Sequence, residues 1–247
     1  MKKTVIPYFL LLSVISAYSF SESPPNTQRG MIYIDPENTR DVRGYIHLAI
    51  IWGETLLPPP FYPKYLINLK EAFHTWTDMN VTLDRPLKLD SPRLLEMPFV
   101  YLTTYDAFEL TLAEKENVKK YFENGGFMVL DNARPTILES PQELSMKRLL
   151  SDALGEKAHY GPIPANHPIL KIYFDMVEGP PIGVDIGPLS YEKLHVTGVW
   201  IDNKLTALLS NRGYTVRWNN DSDNQPQLRF GINMVIFALI QAELNKD

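Results

Sequence analysis

The chain contains no cysteine among its 247 residues. That absence excludes disulfides, thiolate metal sites and cysteine nucleophiles, and it excludes lipoprotein-type lipid attachment, which needs a cysteine at the mature terminus. Glycine is sparse beside proline, 13 residues against 20, and no glycine-rich phosphate loop is present, neither a Walker pattern nor Gly-x-Gly-x-x-Gly. A Gly-x-Ser-x-Gly elbow and a His-Glu-x-x-His helix are also missing. No serine directly follows a strand at a glycine-flanked turn, so a serine triad has no foothold in the pattern.

The five histidines (His47, His74, His159, His167 and His195) include no i, i+4 pair, and no metal site or cofactor is expected. His47 lies within an apolar strand and reads as a hydrogen-bonded core histidine. Asp221-Ser222-Asp223-Asn224 has the look of a calcium loop, but Pro226 and Ile232 occupy the positions where an EF-hand needs Gly and Glu, leaving a solvated turn. Basic residues form no block, and the net charge is -5. Nucleic acid and anionic lipid are therefore poor partners.

What is present begins with a three-part leader. Lys2-Lys3 precedes an apolar run from Val5 to Ile15 and the small-residue stretch Ser16-Ala17-Tyr18-Ser19. This is the form of a signal peptide over residues 1–21, cleaved after Ser19 or after Ser21. The apolar run is shorter than the ~20 residues a spanning helix needs, so no membrane insertion is expected after cleavage. Export to the periplasm or beyond follows. Loss of the leader raises the magnitude of the negative charge, because the two lysines are its only side chains charged at pH 7.

Residues 22–43 are polar and rich in Pro, Asn and Asp, a linker whose island Met31-Ile32-Tyr33-Ile34 can lay one edge strand on the domain. A single α/β domain is expected over 44–247. Its first strand is the apolar run from Tyr45 to Trp52, followed by a proline-rich loop, Pro58 to Pro63. Tyr65, Leu66, Leu69, Phe73 and Trp76 recur at helical spacing. Short strands follow at 81–83 and 98–103. Thr111-Leu112-Ala113-Glu114 is a capping box opening a helix that stops at Asn124-Gly125-Gly126, and Phe127 to Leu130 continues as a strand. A further helix fits 143–154, a β-hairpin fits 196–200 with 205–209, and a buried helix fits 231–244. Alternating strands and helices predict three layers, a mainly parallel sheet with helices on both faces and the hairpin in the C-terminal part.

Ligands of such sheets gather at the carboxyl ends of the strands. That rule collects Glu54 after the first strand, Thr103, Thr104, Tyr105 and Asp106 after the third, and Asp131, Asn132 and Arg134 after the fourth. Asp131, with Glu54 or Asp106, is the candidate for carboxylate acid/base chemistry. Thr103, Thr104, Tyr105, Asn132 and Arg134 are candidates for ligand binding. The plainer alternative is that Asp106, Asp131 and Asn132 end strands and cap turns, as such residues commonly do.

The segments Phe99-Val100-Tyr101-Leu102-Thr103, Tyr121-Phe122-Glu123-Asn124-Gly125-Gly126-Phe127, Asn166-His167-Pro168-Ile169, Gly198-Val199-Trp200-Ile201-Asp202 and Arg229-Phe230-Gly231-Ile232-Asn233, in that order, resemble the bacterial domain-of-unknown-function family 4159. The resemblance covers residues 44–244. It implies a fold similar to class I glutamine amidotransferases with a flavodoxin-like sheet, and no established activity. Members often carry a glycine turn after the third strand and paired aspartates after the fourth, where this chain has Thr103-Thr104-Tyr105 and Asp131-Asn132. Amidotransferases of that fold attack through cysteine, so their activity is not expected. The functional expectation is a non-catalytic binding or interaction module of the envelope, serving an unidentified envelope protein or small ligand. The alternative is a hydrolase of an envelope polymer acting through the strand-end carboxylates.

Overall fold

Two strands organise the interior because both of their faces are apolar. β6 (Phe99–Thr104) and β7 (Phe127–Asn132) are buried along their whole length in the computed structural model. Phe99, Tyr101, Phe127 and Val129 enter one core cluster, and Val100, Leu102, Met128 and Leu130 enter another. Alternation with a period of two sends neighbours to opposite sides of a sheet. Each large apolar side chain so buried contributes about 1.5–3 kcal/mol. The structure describes residues 29–34, 41–135, 139–185 and 195–245; the leader and most of the linker lie outside this set.

The remaining strands are β1 (Gly30–Ile34), β2 (Val42–Leu48), β3 (Ile51–Trp52), β4 (Asp78–Leu83), β5 (Leu87–Lys88), β8 (His159–Pro162), β9 (Val196–Ile201) and β10 (Lys204–Ser210). They pair as β1-β2-β4, β3-β5 and β6-β7-β10-β9-β8. The pairs β2–β4, β3–β5, β6–β7 and β7–β10 are parallel, whereas β1–β2, β10–β9 and β9–β8 are antiparallel. The sheets are thus mixed, which corrects the expectation of a mainly parallel one. Antiparallel pairing enters through the β1 edge strand at one end and through the hairpin and β8 at the other. The hairpin turns on Asp202 and Asn203, both at positive φ (48° and 63°), the backbone of a two-residue turn that matches strand twist.

The helices are α1 (Tyr65–Trp76), α2 (Leu112–Glu123), α3 (Pro141–Leu154), α4 (Tyr214–Asn219) and α5 (Gln225–Leu244). Buried residues of α1, α4 and α5 join the first cluster, and those of α2 and α3 join the second. α5 begins six residues before the expected start at 231, with Pro226 in its first turn, where a missing amide hydrogen does no harm. Among the described residues, no helix is long and apolar enough to cross a membrane.

The capping box of α2 reaches beyond its own helix. Thr111 Oγ1 accepts from Glu114 N (3.2 Å), and Glu114 Oε2 accepts from Thr111 N (2.8 Å). The other oxygen, Oε1, accepts from Glu54 N (2.7 Å), fastening the loop after β3 to the start of α2. Thr111→Ala is expected to cost about 1 kcal/mol, read as a lower urea midpoint at unchanged slope.

Candidate functional site

Three parallel strands end in polar pairs: Thr103-Thr104 on β6, Asp131-Asn132 on β7, and Ser210-Asn211 at the end of β10. Thr103 and Ser210 stand in register on either side of Asp131, and Thr104 stands beside Asn132. The pleat then separates the two rows, the first facing α4 and the second facing α3.

The first row is sealed. Asp131 has no exposed surface. Its Oδ1 accepts from Ser210 Oγ (2.6 Å) and Tyr214 N (3.1 Å), and its Oδ2 accepts from Thr215 N (2.8 Å) and Thr215 Oγ1 (2.9 Å). Thr215 Oγ1 also lies 2.6 Å from Thr103 Oγ1 and 3.0 Å from the Tyr101 hydroxyl. The geometry follows from what precedes α4. The N-cap residue is Gly213, at φ +65°, which has no side-chain oxygen to offer the first amides. Asp131 supplies that oxygen from a distant strand, and its charge suits the positive helix end. Burial raises the Asp131 pKa above its ordinary value, against the opposing pull of hydrogen bonds from Ser210, Thr215 and Tyr101. Burial, and then Asp131 itself, pushes the Tyr101 hydroxyl well up.

The second row braces the start of α3, which carries its own N-cap in Ser140. Asn132 Nδ2 donates to Ser140 Oγ (3.0 Å) and Asn211 Oδ1 (2.6 Å), while its Oδ1 accepts from Arg134 N (2.9 Å). Asn211 Nδ2 donates to Glu143 Oε2 (3.0 Å), and the N-cap Ser140 accepts from Glu143 N.

The other candidates divide between turn formation and an open rim. Thr104 Oγ1 donates to Asp106 O (2.9 Å) and accepts from Asp106 N (3.2 Å), closing a turn that leaves the Asp106 side chain exposed. Glu54 is exposed too. The three carboxylates therefore occupy unlike settings, one fully enclosed and fully hydrogen-bonded, two in solvent.

Tyr105 and Arg134 are brought together, the guanidinium 5.0 Å from the ring centroid. Phe61, 69% exposed, meets the same ring edge-on at 5.9 Å. The proline-rich loop thus folds towards the end of β6, and Tyr62, whose hydroxyl is raised by burial and then by Tyr105, accompanies it. Among the described residues, no group of three or more His, Cys, Asp or Glu side chains is arranged to hold a metal ion. His47 Nδ1 lies 2.9 Å from Asp84 Oδ1, and Asp221 pairs with Lys64 (3.0 Å).

Sequence reasoning missed Ser210, Asn211, Glu143 and Thr215. A signal existed, because Ser210-Asn211 repeats the polar pair that ends the other two buried strands.

These features define an α/β protein whose strand termini hold the starts of two helices and whose solvent-facing edge is aromatic and cationic. The chain belongs to the family described as Domain of unknown function (DUF4159), whose model matches residues 60–239. No curated protein matches it.

Proposed function

We propose that the chain is a non-catalytic binding module of the bacterial envelope, exported behind the leader and built as one glutamine-amidotransferase-like domain over 44–247. The observation that carries the reading is Tyr105 set between the exposed Phe61 and the Arg134 guanidinium at the end of a buried strand. Aromatic faces and a stacked arginine are the residue types that anchor partners most strongly. An envelope protein is the partner this surface suits, and a small ligand is the alternative.

The strand pairings support a flavodoxin-like, three-layer arrangement. β2 leads into β3 and β4 into β5, both pairs parallel, and β3 lies against β6, which continues in parallel to β7 and β10. The hydrolase reading draws less support. Carboxylate pairs need one acid and one base facing a common guest, and Asp131 is wholly engaged with Ser210, Tyr214 and Thr215.

The test uses wild type, Tyr105→Ala and Arg134→Ala as baits for envelope extracts, with recovered proteins quantified by mass spectrometry. All three baits are expected to have unfolding free energies, from urea titration, within about 0.5 kcal/mol of one another. The partner held by wild type should fall by about tenfold with either variant, as for an anchor residue. Equal recovery by all three, or none by wild type, would remove the rim from consideration.

A further inference from the structure

A second concavity, separate from the aromatic rim, lies where α3 faces β8, β9 and the end of β10. Its volume is about 670 Å³, within the ~300–1,000 Å³ usual for small-molecule sites. Its inner wall is buried: Leu209, Asn211 and Glu143 are nearly inaccessible to solvent. Glu143 is fixed from three sides. Its Oε2 accepts from Asn211 Nδ2 (3.0 Å) and Glu139 N (2.8 Å), and its Oε1 accepts from Lys147 Nζ (2.8 Å). Asn211 of the second strand-end row therefore lines the cavity while it braces the start of α3.

The remaining lining is polar and uncommitted. Glu139, Ser151, Tyr160, His195 and Thr197 line the space, and none of their side chains takes a hydrogen-bond or ion-pair partner among the described residues. Together they offer acceptors, donors and hydroxyls that serve as either. Charge narrows the ligand class. Lys147 and Glu143 neutralise each other, and Glu139 leaves the carboxylates in excess. An anion would meet carboxylates, whereas a neutral polyol, each of whose hydroxyls both gives and receives, matches the mixture. Tyr160, 46% exposed, provides an aromatic face for the apolar side of a sugar ring.

We infer that this cavity binds a neutral saccharide of one or two pyranose units, with Tyr160 as the stacking face and Lys147, Thr197, His195 and Glu139 as hydroxyl partners. The inference stands independently of the rim.

The probes are glucose, N-acetylglucosamine and their 1→4-linked dimers and tetramers, with inorganic phosphate and citrate as anionic comparisons. Binding is followed by saturation-transfer NMR and calorimetry on the protein. At least one neutral saccharide is expected to bind, with saturation strongest on ring C–H protons. Tyr160→Ala and Thr197→Val should each weaken it by about tenfold, and Tyr105→Ala should leave it unchanged. Both substitutions are at solvent-accessible side chains, and Lys147→Met offers a third variant should either fail to fold. Tighter binding of the tetramer than the dimer would identify a glycan chain as the source, and equal binding would identify a free sugar. The inference is overturned if no saccharide binds at concentrations up to about 50 mM, well beyond the weakest specific affinities. It is also overturned if phosphate or citrate binds more tightly than every saccharide, or if Tyr160→Ala and Thr197→Val bind as wild type does.

Discussion

Replacing Asp131 with Ala lowers the unfolding free energy by about 3–5 kcal/mol, the expected cost of stranding buried donors that shared one carboxylate. Ser210 Oγ, Tyr214 N, Thr215 N and Thr215 Oγ1 all lose their acceptor at once. Two of these are the leading amides of α4, whose own N-cap is a glycine. Urea titration followed by tryptophan fluorescence reports the loss, because the Trp218 ring on α4 lies 4.5 Å from that of Tyr101, tilted by 33°. Asp131→Asn keeps one acceptor oxygen and should cost about half as much.

The same pair of proteins carries a pH dependence of defined sign. Burial holds the folded-state pKa of Asp131 above 3.8, so the folded chain binds this proton more tightly than the unfolded chain. Its contribution is fully present below 3.8 and is lost as pH rises through the folded-state value. The stability of wild type minus that of Asp131→Asn should therefore decline as pH climbs out of the ordinary carboxylate range. A difference that grows with pH would mean that hydrogen-bond donors outweigh burial.

Asn233→Ala is the second large effect, expected at about 3 kcal/mol. Asn233 lies in the middle of α5 with no exposed surface. Its Oδ1 accepts from Phe174 N (2.9 Å), and its Nδ2 donates to Phe174 O (2.8 Å) and Ile169 O (3.1 Å). One amide thus pins an irregular segment that has little regular backbone pairing of its own. Limited proteolysis between 169 and 176 should accelerate together with the loss of stability, whereas a simple loss of helix packing would leave cleavage in that segment unchanged. The contact also joins two of the motifs that carry the family resemblance, Asn166-His167-Pro168-Ile169 and Arg229-Phe230-Gly231-Ile232-Asn233.

Elements with local chemical punctuation were legible in the sequence. The Thr111 capping box and Gly125, at positive φ, marked the two ends of α2 that the structure keeps. α4 was not legible, because it spans only six residues and its cap comes from Asp131, 83 positions away in the chain. β8 was hidden for a different reason: its residues are exposed or half-exposed, so no apolar alternation announces it. The apolar run from Tyr45 to Trp52 read as one strand but divides into β2 and β3. Its alternation between the two cores continues through the division, and only the pairing is interrupted. At the candidate site, the rule that strand ends collect polar residues identified the right positions but not their assignments. Chain order cannot reveal which of two adjacent residues faces which helix.

That adjacency constrains the alignment of β7. Were the strand to slip by one residue against β6 and β10, an amide would meet the amino end of α4 and a carboxylate would be driven towards Glu143 of α3. Both exchanges of role are costly: the amide keeps one acceptor oxygen but brings hydrogens where acceptors are required, and the carboxylate repels its like. Two consecutive side chains of different chemistry thus act as a key that admits a single alignment of the central strands.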